Sequence, residues 1–525
     1  MTPATRTVVP ARLRAAGPEL AVLAVLALGF AGAVVVVPDA FGVLLVVGVV
    51  GLVAVAAGLA SPVVATSYLL VAAFLRLAVP TGPLPTDPFV LAYGGVLLAV
   101  GLWWRTRGGP VPPLRGLGLL VAAYVGWNVL SMVLPHTYDA VYPTYGGEIE
   151  VWRFVLIGTV MPLTMLLVGV ACLGRERAVR TLVVLLMGIG GYSALVSILQ
   201  FHGPAALVWP SYALGHPEWP GRAVGVVYQP VVHGLVLVLG YLASVLVASR
   251  TAVRGGVRVA AAVVAAACAY GVLLTYTRSA WLCLAVVVLL GAVVARGWRT
   301  GFVLTLAAGA VGVAVNWSTF TSDDRSAGGV TSSNELLDRL NINATAIWAT
   351  GERPLLGWGI GRFPSVNTYH HRQLTPEVPW ERGYGLAAHF DLLGISAELG
   401  LVGAALWLGV VGLVAARLVH AVRRTPPQSD DVPGGAAGDV GGRDYATLAL
   451  LALVSWLVTG ATVDQRLFDV TNLMVMTLAG SAIGHCWWRR RSAGARQEGA
   501  GPEQEGRGPA TREPGTAAAA ATVVG

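Results

Sequence analysis

Long apolar runs dominate this chain and restrict what it can fold into. Of its 525 residues, 55% are hydrophobic and only 12% are charged, whereas soluble domains carry about 25% charged residues. Runs of about 17–25 apolar residues are long enough to cross the hydrocarbon core of a bilayer as helices. The sequence therefore predicts an all-α, polytopic membrane protein of about 12–14 transmembrane helices.

Fourteen segments meet this length and composition. The third is the weakest, because Arg76 lies near its end, where a long side chain can reach the membrane interface. The predicted spans are 20–37, 41–60, 62–79, 88–104, 114–134, 151–173, 178–201, 223–249, 258–276, 279–295, 301–316, 392–416, 444–463 and 470–488.

The distribution of arginine orients these spans. All 35 basic residues are arginines, and with a cytoplasmic N-terminus 24 of them lie in cytoplasmic segments and 11 outside. Cytoplasmic loops of membrane proteins are enriched in positive charge. We therefore expect both termini in the cytoplasm and a multi-pass location in the cytoplasmic (inner) membrane. The arginines are scattered between apolar spans, so they predict no nucleic-acid partner.

A long polar loop divides the chain. We expect a cytoplasmic N-terminus (1–19), a transmembrane bundle (20–316), an extracytoplasmic loop (317–391), C-terminal transmembrane helices (392–488) and a disordered cytoplasmic tail (489–525). Loops this long within a compact fold are usually functional. Within it, the spacing of Leu336, Leu337, Leu340, Ile347 and Trp348 predicts an amphipathic helix over 334–350, on the membrane surface or against the bundle.

Two arginines on the predicted outer side are candidates for binding an anion. Arg278 lies in a tight turn between two spans, among Thr275, Thr277 and Ser279, and Arg339 lies on the loop helix beside Asp338. A guanidinium binds phosphate oxygens in a fork geometry. The alternatives are an interfacial anchor for Arg278 and a solvated surface charge for Arg339.

A third arginine, Arg222, precedes the eighth span. Gln229, Pro230 and His233 follow it, and we place them inside an apolar helix that begins at 223. A proline inside a helix leaves backbone groups that neighbours or water must satisfy. The pattern predicts a wet pocket, or alternatively a kinked helix with a hydrogen-bonded core histidine.

The segment before the twelfth span carries a histidine and two acids. His389 can accept a proton from a hydroxyl near neutral pH, and Asp391 and Glu398 follow it closely. Asp391 is in position to orient His389 or to couple to its charge. A structural histidine at the mouth of a helix is the alternative.

Two further patterns give only weak indications of a functional site. The pair Asp323–Asp324 has the oxygen ligands of a Mg²⁺ site, but an acidic pair in a loop is usually solvated. The glycines at 357, 359 and 361 follow no strand, so a phosphate-binding loop is not predicted.

Taken together, these segments resemble the O-antigen ligase/polymerase superfamily of bacterial membrane enzymes. The family turn T-x-S/T-R-[GSA] corresponds to TYTRSAWL at 275–282, and its loop helix and P-[LI]-[LF]-G-x-G run correspond to RLNINATAIW and RPLLGWGIGRF within 339–363. The run H-N-x-x-L…E-x-G-L-x-G corresponds to HFDLLGISAELGLVG at 389–403, and the element R-x-x-G-x-x-x-N-P-N is similar to RAVGVVYQP at 222–230. Phe390, Gln229 and Val231 stand where the family has asparagine.

The resemblance implies a GT-C-like, metal-independent glycosyltransferase that needs no cofactor. Such an enzyme takes a glycan from an undecaprenyl-diphosphate-linked donor at the outer face of the cytoplasmic membrane and transfers it to a glycan, lipid or protein acceptor. By correspondence with the family motifs, Arg278 and Arg339 hold the diphosphate and His389 activates the acceptor hydroxyl. Arg222, Gln229, Asp391 and Glu398 are the candidate supporting and substrate-binding residues.

Two other functions remain open at this point. A lipid-linked oligosaccharide flippase or polysaccharide exporter also needs many spans and inward-facing arginines, although internal repeats typical of transporters are not evident. A non-catalytic partner subunit of a polysaccharide-assembling complex would not require the arginines.

Overall fold

Apolar helices make up nearly all of the regular structure. The computed structural model describes residues 61–78, 88–107, 111–143, 147–322, 334–377, 379–380, 383–425 and 440–499. The longer helices in these ranges are α1 (Pro62–Leu75), α2 (Pro88–Arg107), α3 (Arg115–Val133), α4 (Val151–Cys172), α5 (Glu176–His202), α6 (Pro230–Ala248), α7 (Gly255–Leu274), α8 (Arg278–Val294), α9 (Thr300–Val315), α10 (Asn334–Glu352), α11 (Phe363–Tyr369), α12 (Asp391–Arg424), α13 (Gly442–Gly460) and α14 (Asp469–Gly499). A single helical turn, Trp317–Phe320, follows α9.

Strand structure within the described ranges is limited to one short hairpin. Its strands, β1 (Val141–Tyr142) and β2 (Gly147–Glu148), pair antiparallel with Val141 opposite Glu148. Helix α4 contains a π-helical turn at Leu156–Val160. The predicted all-α membrane fold is therefore confirmed.

Each predicted span within the described ranges corresponds to a helix. Seven helices are long and apolar enough to cross a membrane (α2–α7 and α12), and α1, α8 and α9 are shorter apolar helices. The predicted spans 20–37 and 41–60 lie outside the described residues. Helix α14 continues to Gly499, beyond the predicted end at 488, and the rest of the tail, 500–525, lies outside the described residues.

Glycines let several membrane helices pack backbone against backbone. Gly169 of α4 lies against Gly480 of α14, and Gly190 of α5 lies against Gly240 of α6, so that a side chain at any of these positions would meet backbone atoms of the partner helix. Small residues at helix interfaces allow this close approach in membranes, where packing rather than water exclusion drives association. Helix α6 is almost entirely enclosed by its neighbours.

The predicted start of the eighth span was wrong. Helix α6 begins at Pro230, and the residues from Ala223 to Gln229 form an irregular segment before it. Proline at the first helical position removes no intrahelical hydrogen bond, because the amide there has no partner in any helix. Pro230 therefore does not free backbone groups inside α6, contrary to the prediction. His233 is fully buried, and its Nε2 lies 2.7 Å from the Ser197 hydroxyl.

The loop helix α10 packs against the bundle through a face that differs from the predicted one. Ile342, Ala346 and Ala349 are buried against α12 and the following loop, whereas Leu336 and Ile347 are exposed. The helical period was correct, but two of the three packed side chains are alanines, which let α10 approach α12 closely.

Helix α12 is broken at Gly400. This residue has φ +69° and ψ −177°, a conformation that is essentially restricted to glycine. The break leaves backbone groups without their usual intrahelical partners. The loop at 353–359 supplies new ones: Leu401 N donates to Pro354 O (2.7 Å), and Trp358 N and Gly359 N donate to Ala397 O and Glu398 O (both 2.9 Å).

A third helix completes the contacts around the break. The indole Nε1 of Trp127, on α3, donates to Leu399 O at 2.9 Å. Every carbonyl from Ala397 to Leu399 thus has a donor that comes from outside α12. The loop that follows α10 and the break in α12 therefore form one structural unit.

Candidate functional site

The candidate site lies where α6, α8 and α12 begin, which we term the site end of the bundle. Gly234, in the second turn of α6, packs directly against Ala280 in the first turn of α8. The two helix N-termini are therefore adjacent. Unpaired amides and the helix dipole make such termini favourable for anions.

Arg278 is held by a tight, hydrogen-bonded turn. It is the first residue of α8, and only three residues separate it from the end of α7. Tyr276 adopts φ +43°, which is uncommon for a non-glycine residue. The Thr275 hydroxyl donates to Val272 O (2.7 Å), and the Thr277 hydroxyl donates to Thr275 O (2.8 Å). These bonds fix the direction in which Arg278 leaves the turn.

The segment that carries Arg222 is attached to the same turn. Ala223 N donates to Leu274 O, the last residue of α7, at 2.9 Å, and Gln200 Nε2 donates to Arg222 O at 3.0 Å. The Arg222 guanidinium lies over the Trp219 ring, 5.2 Å from its centroid. The hydrogen bond to Leu274 brings Arg222 to the site end beside Arg278.

Gln229 forms the N-cap of α6. Its side-chain Oε1 accepts from Val232 N at 2.9 Å, which satisfies one of the amides that every helix N-terminus leaves without a partner. The family element has asparagine at this position, a residue that also favours N-caps. In this structure, therefore, Gln229 organises the helix end next to the arginines.

The three arginines influence one another electrostatically. Burial lowers the pKa of Arg222 and of Arg339, and the nearby positive charge of Arg278 lowers both further. Asp338 partly opposes this effect at Arg339. Arg278 thus lies close enough to two other guanidinium groups, which come from different segments, to lower the pKa of each. Concentrating positive charge in this way is costly unless an anion binds.

His389 lies beside this group of arginines, two residues before α12 begins. Its Nδ1 is 2.9 Å from Ala387 O, and since a carbonyl can only accept, the neutral ring carries its proton on Nδ1. The Nε2 lone pair is then the proton acceptor. Burial lowers the pKa of His389, and the positive charge of Arg339 lowers it further, while the Ala387 carbonyl and Asp464 act in the opposite direction.

The two acids of α12 have protein partners in the structure. Asp391 is buried and accepts from Gln465 N through Oδ1 at 2.7 Å. Glu398 is 2% exposed; Oε1 accepts from Phe363 N at 3.1 Å, and Oε2 pairs with Arg466 Nη1 at 2.6 Å. Phe390, where the family has asparagine, is the N-cap of α12 and provides no side-chain cap.

Sequence reasoning missed Arg466 and Asp464, which complete a buried ionic cluster with Glu398. Arg466 Nη2 and Nε donate to the Asp464 carboxylate at 2.6 and 2.9 Å. The signal was present in the turn DQRLFD at 464–469, which places charges between two predicted spans just as the Arg278 turn does. The cluster ties the first half of α12 to the turn between α13 and α14.

The glycine-rich run has a structural role in the described residues. Gly357 and Gly359 both have positive φ, and a side chain at Gly357 would overlap the backbone of Glu398 and Gly400. These glycines allow the loop to dock against the break in α12. Asp323 and Asp324 lie outside the described residues.

Residues 260–408 match the family model described as O-antigen ligase. This part of the chain is therefore similar to the O-antigen ligase family. The matched region includes Arg278, Arg339, His389 and the break at Gly400, whereas Arg222 precedes it. This match confirms the predicted superfamily and supports a membrane glycan ligase or polymerase type of function. No curated protein sequence matches the chain.

Proposed function

We propose that this O-antigen ligase-like protein is a membrane glycosyltransferase that transfers or polymerises glycan from an undecaprenyl-diphosphate-linked donor. The reaction takes place at the outer face of the cytoplasmic membrane, where we expect the site end to lie. One observation supports the proposal above all: Arg222, Arg278 and Arg339 come together beside His389.

The arginines match the charge of the leaving group. A donor of this class leaves as a lipid diphosphate, whose negative charge increases as the glycosidic C–O bond breaks. Preorganised cations in a poorly solvated site stabilise such charge strongly, and arginine can bind two oxygens of one phosphate. Arg278 and Arg339 hold the diphosphate, Arg222 assists, and the capped N-terminus of α6 lies beside them. These groups supply the positive charge, so the proposed reaction requires no metal.

His389 is the proposed general base. The acceptor hydroxyl attacks the anomeric carbon, its proton passes to Nε2, and the electron pair of the breaking bond goes to the diphosphate. The lowered pKa keeps His389 neutral at working pH, which a base must be. Its location next to Arg339 brings proton acceptance and leaving-group stabilisation into one site.

The acids take supporting roles in this proposal. Asp464 lies close enough to His389 to favour the imidazolium that forms during transfer. Asp391 and Glu398 hold the first half of α12 through Gln465 and Arg466, and they contribute to substrate binding through the position of that half-helix.

The test is to remove the gene and to analyse the glycan that remains on the lipid carrier. A long chain on the carrier indicates a ligase, and a single repeat unit indicates a polymerase. The chain with Arg278→Lys should restore only a small fraction of the transfer. Arg153→Gln is the matched control, because its half-exposed ion pair with Glu150 (3.7 Å) contributes little. An unchanged lipid-linked pool after gene removal would contradict the proposal, and accumulation on the cytoplasmic leaflet would indicate a flippase.

A further inference from the structure

A cavity lies beside the break in α12, apart from His389. Its volume is 390 Å³, and it is enclosed by the end of α3 with its following residues (127–136) and by the loop at 353–357. Gly400 lies nine residues into α12, about 14 Å along the helix from its N-terminus. Cavities of about 300–1,000 Å³ are typical of small-molecule sites.

The walls of this cavity are apolar and continue into an exposed apolar surface. Leu355 and Leu356 are 66% and 53% exposed, and Leu130 on α3 is also exposed. Val129 and Val133 extend the exposed apolar face of α3, a helix long and apolar enough to span the membrane. The mouth of the cavity therefore opens where hydrocarbon chains would lie.

The polar groups on the inner wall are already engaged. Trp127 donates to Leu399 O, and the Ser131 hydroxyl accepts from Ile360 N at 3.0 Å. The first bond holds α12 against α3, and the second holds the chain after the loop at 353–359 against α3.

The end of the cavity farthest along α3 is cationic. The Arg353 guanidinium lies over the Trp358 ring, 4.0 Å from its centroid, and donates one hydrogen bond to the Thr137 hydroxyl at 2.7 Å. His136 lines the same end; burial lowers its pKa, and the positive charges of Arg362 and Arg353 lower it further. No carboxylate is among the described residues that line the cavity. An apolar wall with a cationic end matches an amphipathic anion.

We propose that this cavity binds an anionic membrane lipid, with its phosphate at Arg353 and its chains along Leu130, Leu355 and Leu356. The bound lipid would support the loop at 353–359, which replaces the missing backbone partners of α12. The proposal does not depend on the proposed glycan transfer, because it concerns a different cavity and a different ligand.

The test measures lipid binding to the full-length protein purified in detergent. Phosphatidylglycerol is compared by native mass spectrometry with diacylglycerol, which has identical chains and no phosphate. A hydrogen-bonded charge pair is worth about 1.5–3 kcal/mol, which corresponds to roughly a tenfold or greater change in affinity. We expect phosphatidylglycerol to bind about tenfold more tightly, and Arg353→Gln to abolish that preference.

The matched control is Arg372→Gln. Arg372 also lies over a tryptophan, 4.7 Å from the Trp348 ring centroid, in the same loop region but outside the cavity. We expect this variant to retain the preference. Equal affinity for the two lipids, or equal effects of the two substitutions, would overturn the proposal.

Two further measurements use the wild-type protein and therefore do not require any variant to fold. The preference of the wild-type protein for phosphatidylglycerol should weaken as salt concentration rises, because charge at a partly exposed site is screened. A preference that does not change with salt concentration would overturn the proposal. Free glycerol 3-phosphate should compete only weakly. Displacement of the lipid by this headgroup alone at similar concentration would indicate a phosphate site instead of a lipid site.

Discussion

Replacing Gly400 with alanine should destabilise the protein severely, because this one residue permits the break in α12. At φ +69° and ψ −177°, an alanine is strained by about 1–3 kcal/mol. Its Cβ would also overlap the carbonyl oxygen of Leu355 and lie 2.9 Å from Leu356 N. These are backbone atoms, so no side-chain rotation can relieve the overlap.

The second part of the loss in folding stability comes from moving the loop at 353–359. Relief of the overlap requires separation of residues 354–359 from α12, which breaks one or more of their three backbone hydrogen bonds. Each is worth about 0.5–1.5 kcal/mol net. Together with the backbone strain, we expect a loss of about 1.5–7.5 kcal/mol for Gly400→Ala.

The assay compares detergent-extracted yield and thermal midpoint for Gly400→Ala and Gly412→Ala. Gly412 lies in the second half of the same helix, and a Cβ there would meet nothing within 4 Å. Alanine should stabilise that position by about 0.5–1 kcal/mol, because glycine is unfavourable within a helix. If Gly400→Ala matches the wild type in yield and melting, then the break does not depend on glycine and the reasoning is refuted.

Three further predictions concern the candidate site. Arg278→Lys should retain the charge but reduce transfer about tenfold to a hundredfold, because an ammonium cannot reproduce a bidentate contact; near-normal transfer in a membrane assay would make Arg278 an interfacial anchor. His389→Ala should reduce transfer about 10²–10⁴-fold with normal expression and donor binding. Burial and the charge of Arg339 lower the pKa of His389, so the wild-type transfer rate should stay constant at neutral pH and decrease only below the ordinary histidine pKa. Arg339→Gln should raise the pH at which the rate decreases. If the pH dependence of the rate is the same in both proteins, His389 is not the base. Arg466→Met should destabilise the protein by about 3–5 kcal/mol, because it leaves buried carboxylates unpaired. Glu398→Gln should destabilise it less, because Gln can still accept from Phe363 N. Equal losses of melting temperature in the two variants would contradict the role given to the cluster.

The sequence predicted the helices well because apolar length is a local property. Each predicted span in the described ranges has its helix, and the Arg278 turn lies between two of them as expected. Pro230 was misplaced because the apolar residues before it, Ala223 to Val227, continue the hydropathy of α6 without sharing its conformation. Hydropathy reports which residues avoid water and does not report where a helix begins.

The break at Gly400 could not be predicted by the same reasoning. Glycine is common in this chain, with 66 occurrences, and most glycines within the apolar helices have ordinary helical geometry. What distinguishes Gly400 is a loop more than forty residues earlier in the chain, whose carbonyl at Leu355 occupies the space of a side chain. Arg466 was missed for a related reason, since its partner Glu398 lies 68 residues away in sequence.

The broken helix explains why the glycine-rich run at 353–361 and the run at 389–403 occur together. Gly357 and Gly400 each leave space for the other segment's backbone, so neither glycine is needed without the other. The first half of α12, freed from the second by the break, is held by Arg466 at Glu398 and by Gln465 at Asp391. That half-helix begins immediately after His389. The position of the proposed base relative to Arg339 therefore depends on contacts along this half-helix, and substitutions at Gly357 or Arg466 should alter transfer without touching the substrate.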